Sequence, residues 1–432
     1  MIYFLLPTLI ILLCLSYRIN QKDIGAPAVI FTLSFCFCSL WATVYSKEWS
    51  LELEMATYLV IVLGVADFIL TSYLYRKILK RIRIKQKDRN FKEDNNTENW
   101  KIIIFIGIEV LSIICTIICL KKMTGSLVLA SAIAQYRDSI VFGNVEKTFP
   151  KILTIVRIIV NGSGYWFAYI FANKLVSNRK INIFVLIALL LSVINTLILG
   201  GRNEGINIIM SVIIDYYMIY KYHHGWNVKI KFKSLIKIVL IAFAFLLTFQ
   251  QMGNLLGRKS STNLFYYIAV YCGAQIKNLD SFILSGKYPV HTNYFGEQTF
   301  INLILWMQPK INDNFVEYSL DLPFKSVNGL NLGNVYTTFY SFIYDFGYCG
   351  EFILTSLMAI ISQNVYYVAQ KAKCLCRPSI IVIVYSYIFS TLLFSFFSNK
   401  FYEQLFTPYF PRLVILWMIL NFIFYKLQVR KR

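Results

Sequence analysis

Long apolar runs constrain this chain more than any other feature of its sequence. Hydrophobic residues make up 57% of the 432 positions and charged residues 15%, whereas soluble domains carry about 25% charged residues. A single water-soluble globule is therefore excluded. A span across the hydrocarbon core needs roughly 17 to 25 apolar residues. Runs of that length predict eleven spans, at 2–17, 24–45, 55–75, 102–120, 152–172, 181–199, 204–220, 234–251, 348–368, 379–397 and 409–425.

The first run resembles a signal peptide only in its length. No basic residue precedes the apolar stretch and Arg18 follows it, which is the reverse of the polarity of a cleavable signal. We therefore expect it to be retained as a span.

The basic residues indicate how the spans are oriented. Lys and Arg total 43 against 22 Asp and Glu, a net charge of +21. Of the 43, 26 fall in one alternate set of segments, namely 18–23, 76–101, 173–180, 221–233, 371–378 and the tail from 426. By the positive-inside rule these segments are cytoplasmic. The N-terminus then faces outward and the C-terminus is cytoplasmic, and the charge is an orientation signal rather than a sign of nucleic-acid binding.

These patterns predict an all-α polytopic membrane protein with one large outer loop. Spans one to eight occupy residues 1–251, the outer loop 252–347, and the last three spans with a basic tail 348–432. Within the loop, Thr262–Leu284 carries polar residues that disfavour a further crossing. We interpret it, and the shorter segment Phe300–Met307, as amphipathic helices lying on the membrane surface.

The most informative motif is Gly200-Gly201-Arg202-Asn203-Glu204-Gly205, at the outer junction between the sixth and seventh spans. Two glycines permit a tight turn, and the helix that follows presents free N–H groups and the positive end of its dipole. Such a turn suits a phosphate group, to which Arg202 would donate two hydrogen bonds while Glu204 orients it. A tight hairpin with an arginine anchored at the headgroups explains the motif equally well.

Four further side chains are candidate site residues, two as cations and two as bases. Arg157, near the outer end of its span, is either a second cation at the site or a buried partner for Glu109 or Asp67. Arg258 follows span eight at headgroup depth. His291 and Glu297 lie in a turn-rich part of the outer loop and are candidate catalytic bases, although a single loop histidine is more often an ordinary polar contact.

Metal and nucleotide signatures are absent from the sequence. The outer loops contain no Asp-x-Asp pair, and no Gly-x-x-x-x-Gly-Lys loop occurs anywhere. We therefore predict no metal, no cofactor and no ATP-driven transport.

At this point the sequence resembles a known family. The Gly-Gly-Arg turn, the long late outer loop, and the closing Asn334–Thr337 with Tyr344–Gly347 and Gly350 are similar to the Wzy-type O-antigen repeat-unit polymerases. The resemblance implies an inner-membrane glycosyltransferase with a glycosyltransferase-C-like fold. Its donor and acceptor would be undecaprenyl-diphosphate-linked glycans. Membrane lipids and a chain-length regulator protein would be further partners, and nucleic acid would not.

The resemblance also implies roles for particular residues. Arginines of the outer loops matter for activity in this family, which carries over to Arg202 and Arg258. Tyr336 and Asp345 lie in the stretches that match and are assigned to the substrate loop. No catalytic base is identified by the resemblance.

Three alternatives remain open on the sequence. The O-antigen ligase of the same pathway also has a large outer loop. A lipid-linked oligosaccharide flippase would show internal repeats and broken spans, and neither is found. A polytopic acyltransferase would need a histidine near an early span, and the first histidine is His223.

Overall fold

The computed structural model describes residues 1–82, 98–141, 148–177, 182–226, 228, 263–290, 293–312, 315, 318, 322–372 and 377–425. The described part contains fourteen helices and one hairpin, and the eleventh helix is interrupted at Gly347, where φ is +65°. The helices are α1 Ile2–Ile19, α2 Pro27–Val44, α3 Met55–Arg81, α4 Asn99–Thr124, α5 Leu129–Val141, α6 Lys151–Val176, α7 Ile183–Leu197, α8 Asn203–His224, α9 Leu264–Leu284, α10 Ile301–Ile311, α11 Thr338–Lys371, α12 Ile380–Leu393, α13 Lys400–Leu405 and α14 Tyr409–Tyr425.

Helices lie at ten of the eleven predicted spans. Six of them, α1, α2, α3, α4, α6 and α11, are long and apolar enough to cross a membrane, and α7, α12 and α14 are shorter apolar helices. Helix α8 has 22 residues but carries Glu204 and Asp215 among its apolar side chains. The predicted span 234–251 lies outside the described residues. The chain is thus a mostly helical, membrane-embedded protein.

The strands form a short antiparallel hairpin between α10 and α11, with β1 at Lys325–Val327 and β2 at Leu330–Gly333. Asn328 and Gly329 link them with φ values of 52° and 75°. A two-residue hairpin turn with both φ values positive favours Asn-Gly, so the sequence of the turn accounts for its shape.

Contacts between Cα atoms group the chain into two compact units. Unit 1 comprises Met1–Gln86, Thr262–Gln370 and Ile388–Phe410, and unit 2 comprises Lys87–Ser261, Lys371–Tyr387 and Pro411–Arg432.

In unit 1, helices α2, α3 and α11 meet through aromatic rings and one glycine. Phe31 stacks on Phe68 at 4.3 Å between centroids and Phe35 on Phe339 at 5.0 Å. A Cβ at Gly64 would lie 2.6 Å from the Phe339 ring and 2.7 Å from Glu351 Oε1. Only glycine lets these helices pack so closely.

Helix α9 occupies the segment expected to be an amphipathic helix on the membrane surface, but its polar side chains lie inside the protein. Gln275, Asn278 and Asp280 are fully buried. Asn278 Nδ2 donates to Val335 O at 2.9 Å, and Asp280 Oδ1 accepts from Glu54 N at 3.1 Å. These polar side chains satisfy backbone groups of unit 1 rather than face solvent, because buried polar groups are retained where they find partners.

Helix α10 keeps an exposed apolar side. Trp306 and Ile311 are 43% and 70% exposed, and Lys310 Nζ lies 3.4 Å from the centroid of the Trp306 ring. An exposed aromatic and aliphatic face with an adjacent cation is typical of interfacial helices.

In unit 2, glycines on α6 and α8 bring the helices together. A Cβ at Gly164 would lie 2.7 Å from Ile208 Cδ1, and one at Gly205 would lie 2.8 Å from Thr196 Oγ1. Gly162 O accepts from Trp417 Nε1 at 2.8 Å. The Asn161–Gly164 segment is thus a close-packing surface, which places polar side chains of α6, α7 and α8 within hydrogen-bonding reach.

Candidate functional site

The Gly-Gly-Arg motif forms a tight turn between α7 and α8 in unit 2. Gly200 has φ +80° and its N donates to Leu197 O at 2.9 Å. Arg202 is the N-cap residue of α8, and its carbonyl accepts from Ile206 N at 3.0 Å. The tight turn followed at once by a helix is as the sequence predicts.

Arg202 and Glu204 lie at the first turn of α8. Arg202 is buried, with 5% of its surface exposed, and Glu204 is the acidic residue of that turn. A carboxylate at a helix N-terminus is favoured by the helix dipole. The turn therefore combines a buried cation, a carboxylate and the positive end of a helix.

Helix α5 packs against this turn and adds a second arginine that sequence reasoning missed. A Cβ at Gly200 would lie 3.1 Å from Ile133 Cγ2 and 3.7 Å from Arg137 Cβ. Ile133 and Arg137 are four residues apart and share one helix face. That spacing is the only sequence signal for this contact, and it does not say what the face packs against.

The guanidinium of Arg137 is only partly used within the described chain. Its Nη2 and Nε donate to Asp138 Oδ1 at 2.7 and 3.1 Å. Its Nη1 is buried and has no hydrogen-bond partner among the described residues. A buried donor without a partner is costly to keep, and the aliphatic part of the same side chain packs against Gly200. The guanidinium of Arg137 is therefore a candidate contact for an anion.

Arg157 lies in a polar chain between α4, α6, α7 and α8. Its Nη1 donates to Thr116 Oγ1 at 2.9 Å and its Nη2 to Asn195 O at 2.8 Å. Asn195 Nδ2 donates to Asn161 Oδ1 at 2.6 Å, and Asn161 Nδ2 to Glu204 Oε2 at 2.9 Å. The chain connects Arg157 to the candidate turn through two amides.

Glu109 is one of the two residues that the sequence offers as a buried partner for Arg157. Its Oε1 accepts from Ser192 Oγ at 2.8 Å. Arg157 bonds α4 through Thr116. Tyr136 lies on α5, outside the predicted spans. Burial raises the pKa of its hydroxyl, and the positive charge of Arg157 opposes that rise.

In unit 1, Glu297 lies in a turn held by Asp345. Asp345 Oδ1 accepts from Gln298 N at 3.2 Å and Oδ2 from Thr299 N at 2.6 Å. Gly296 has φ +70°, and a Cβ there would lie 2.6 Å from the Phe300 ring. This fixed turn keeps Glu297 at 8% exposure.

Tyr318 and Tyr336 belong to unit 1, and the Tyr318 hydroxyl donates to Glu297 O at 3.5 Å. Tyr336 is buried, its hydroxyl donates to Pro323 O at 2.9 Å, and burial raises its pKa to about 12. Burial, followed by the charges of Glu297 and Asp345, raises the pKa of Tyr318. Both tyrosines therefore stay protonated at neutral pH and act as hydrogen-bond donors.

Arg258 and His291 lie outside the described residues. Their roles as phosphate ligand and base stay predictions, as do those of Glu297, Tyr336 and Asp345. Arg202 and Glu204 are neighbours in unit 2, and Glu297 and Asp345 are neighbours in unit 1.

One comparison with known proteins gives a match. The model of a family described as O-antigen polysaccharide polymerase Wzy matches residues 1–272. No curated protein and no solved structure matches the chain. The matched part contains the Gly200–Glu204 turn, Arg137 and Arg157, whereas Glu297, Tyr336 and Asp345 follow it.

Proposed function

We propose that this chain, which belongs to the O-antigen polysaccharide polymerase Wzy family, joins undecaprenyl-diphosphate-linked oligosaccharide units at the periplasmic face of the inner membrane. In this proposal the protein is a glycosyltransferase that acts without a metal or other cofactor. The family match over residues 1–272 is the observation that carries the proposal.

The reaction transfers a growing glycan between two lipid carriers. The bond between the anomeric carbon of the growing chain and its lipid diphosphate breaks, and a new bond forms to a hydroxyl oxygen of the next lipid-linked unit. The diphosphate leaves with the bonding electron pair, and the hydroxyl proton passes to a base. Such a site needs cations for the departing diphosphate and an acceptor for the proton.

The turn at Gly200–Glu204 has the features that a diphosphate requires. Arg202 caps a helix whose dipole favours anions, and Arg137 lies against Gly200 with one guanidinium nitrogen unsatisfied in the described chain. Backbone N–H groups of a helix start and arginines are the usual ligands of phosphate. We assign the diphosphate to this turn, with Arg202 and Arg137 as its cations and Arg258 as a further candidate.

Replacing Arg202 tests this assignment. Arg202→Ala should lower the rate of chain extension by about 10²-fold, since a donor to the departing charge stabilises the transition state by that order. Arg202→Lys should recover only part of the rate because it keeps the charge without the paired donors. Lys151→Ala, at an exposed basic residue that begins α6, is the matched control.

The measurement is extension of purified lipid-linked repeat units by the purified protein, followed on gels. A normal rate in Arg202→Ala would remove the turn from the mechanism. A loss of equal size in Lys151→Ala would mean that the assay reports general surface charge instead.

The base is assigned to Glu297 or His291. Glu297 is held in a fixed turn by the backbone contacts of Asp345. Of Glu297→Gln and His291→Gln, one should lower the rate at saturating substrate by about 10² to 10⁴-fold, the range of a positioned acid or base. Normal rates in both variants would exclude both residues as the base.

A further inference from the structure

A row of hydrogen bonds runs from Arg157 to Glu204 through the interior of unit 2. Arg157 Nη1 lies 3.4 Å from Asn195 Oδ1, Asn195 Nδ2 lies 2.6 Å from Asn161 Oδ1, and Asn161 Nδ2 lies 2.9 Å from Glu204 Oε2. Arg157, Asn195 and Asn161 are 6%, 0% and 8% exposed. The row links α6, α7 and α8 and ends at the first turn of α8.

The two ends of the row determine the direction of every bond in it. A guanidinium has only donors and an ionised carboxylate has only acceptors. Each amide between them must therefore turn its oxygen toward Arg157 and its nitrogen toward Glu204. A hydrogen-bonded row of this kind is polarised along its length in a buried, low-dielectric setting.

A packing role alone does not account for charged groups at both ends. Burying an arginine costs free energy that apolar residues of similar volume avoid. Gly162, Gly164 and Gly205 already bring the helices into close contact. The row adds a buried hydrogen-bond donor fixed against the carboxylate of Glu204, which is two residues from Arg202.

We propose that Arg157, Asn195 and Asn161 are positioning residues, which hold the Glu204 carboxylate ionised and oriented at the turn where Arg202 binds the diphosphate. This inference rests on the proposed function for its effect on catalysis. The row itself is independent of that function.

The substitution Asn161→Asp tests the row with almost no change of volume. The introduced aspartate would still accept from Asn195 but would turn a carboxylate oxygen toward Glu204 in place of a donor. Two carboxylates in contact repel each other when both are ionised, and the pair takes up one shared proton as the pH falls. Extension should therefore fall by about 10-fold or more at pH 7.5, the order of a lost hydrogen bond to a charged group, and should recover partly near pH 5.5.

The other titratable groups around Glu204 do not produce this recovery. Tyr165 of α6 and Tyr387 of α12 face Glu204, and tyrosines ordinarily ionise near pH 10. Arg202 of α8 and Arg157 of α6 stay charged throughout. Glu109 of α4 bonds Ser192, outside the row. A structural defect without this carboxyl pair would lower the rate without the gain in acid.

A double variant that combines Asn161→Asp with Glu204→Gln rebuilds the contact with its polarity reversed. The introduced glutamine would donate to the introduced aspartate, so the double variant should unfold at a higher temperature in detergent than Asn161→Asp alone and lose its acid recovery. Ser163→Ala removes a buried hydroxyl of the same helix that bonds Val160 O and lies 3.4 Å from Ser192 Oγ, neither of which belongs to the row. We expect its rate to match that of the wild-type protein.

Two results would overturn the proposal. One is a wild-type rate and pH profile in Asn161→Asp. The other is a change in unfolding temperature of the double variant that equals the sum of the changes in Asn161→Asp and Glu204→Gln alone. If the wild-type protein extends no lipid-linked unit, the proposed function fails by itself. The row is then decided by the unfolding temperatures.

Discussion

Arg137 and Arg202 approach the same turn from different helices, and they are held differently. Arg202 is the buried N-cap residue of α8, whereas Arg137 pairs with Asp138, which is 51% exposed, and leaves Nη1 without a partner in the described chain. A screened surface pair of this kind contributes little to stability. Arg137 therefore retains the capacity to bind an anion.

Arg137→Ala should lower extension by roughly 10-fold, with a higher apparent KM for the lipid-linked unit, since one charged hydrogen bond to phosphate is lost. Asp138→Asn should leave extension unchanged or raise it, because it removes the carboxylate that competes for the guanidinium. The measurement is steady-state extension at several substrate concentrations. An unchanged KM in Arg137→Ala would remove this residue from the site.

The sequence predicts the local structure at a single residue where the neighbouring residues in the chain determine it. Two glycines before Arg202 are enough to predict a turn and a helix start. Arg137 and the partners of Arg157 depend on contacts between elements distant in sequence, and Arg157 bonds Thr116 and Asn195, which are 41 and 38 residues away. No local pattern contains that information.

At the scale of elements, the two glycines of the turn are not equivalent. Gly200 has φ +80° and packs under Ile133, whereas nothing lies within 4 Å of a Cβ at Gly201. Gly200→Ala should lower the free energy of unfolding by about 1 to 3 kcal/mol through backbone strain and reduce extension. Gly201→Ala should stay within about 0.5 kcal/mol of wild type.

Thermal unfolding in detergent measures both effects, with extension assayed on the same preparations. Equal stability of Gly200→Ala and Gly201→Ala would contradict the positive φ and the contact with α5.

A second glycine pair tests the packing of unit 1. A Cβ at Gly64 would contact Phe339 and Glu351, while one at Gly107 of α4 meets nothing within 4 Å. Gly64→Ala should destabilise by about 1 to 3 kcal/mol, the usual cost of overpacking. Gly107→Ala, also inside a predicted span, should unfold like the wild type. A neutral Gly64→Ala would contradict the close approach of α3 and α11.

The lengths of the apolar runs predict where most helices lie but not which parts of the chain pack around them. Runs of about 20 apolar residues locate α1, α2, α3, α4, α6 and α11 because the bilayer imposes that length. The sequence predicts an amphipathic surface helix at Thr262–Leu284, whereas Asn278 and Asp280 of α9 are buried and bond backbone groups of distant segments. Polarity alone does not distinguish a solvated face from a buried one whose partners are elsewhere in the chain.

At the scale of the whole molecule, the uneven distribution of basic residues predicts orientation. A reporter fused after Arg432 should lie in the cytoplasm, because 26 of the 43 basic residues are in the segments assigned to that side. A fluorescent protein should therefore be active there and alkaline phosphatase inactive. Alkaline phosphatase and a fluorescent protein at that position give opposite signals. Active phosphatase would contradict the predicted orientation and the assignment of residues 252–347 to the outer side.

Because the protein belongs to the O-antigen polysaccharide polymerase family, we expect it to determine whether glycan units are joined. The direct measurement is the surface glycan of a strain from which this chain is deleted, resolved by length and compared with the strain carrying it again. We predict surface polysaccharide that stops at a single repeat unit, with long chains restored by complementation. Polymer of full length that is left unattached, or lipid-linked units trapped without any surface glycan, would contradict the account.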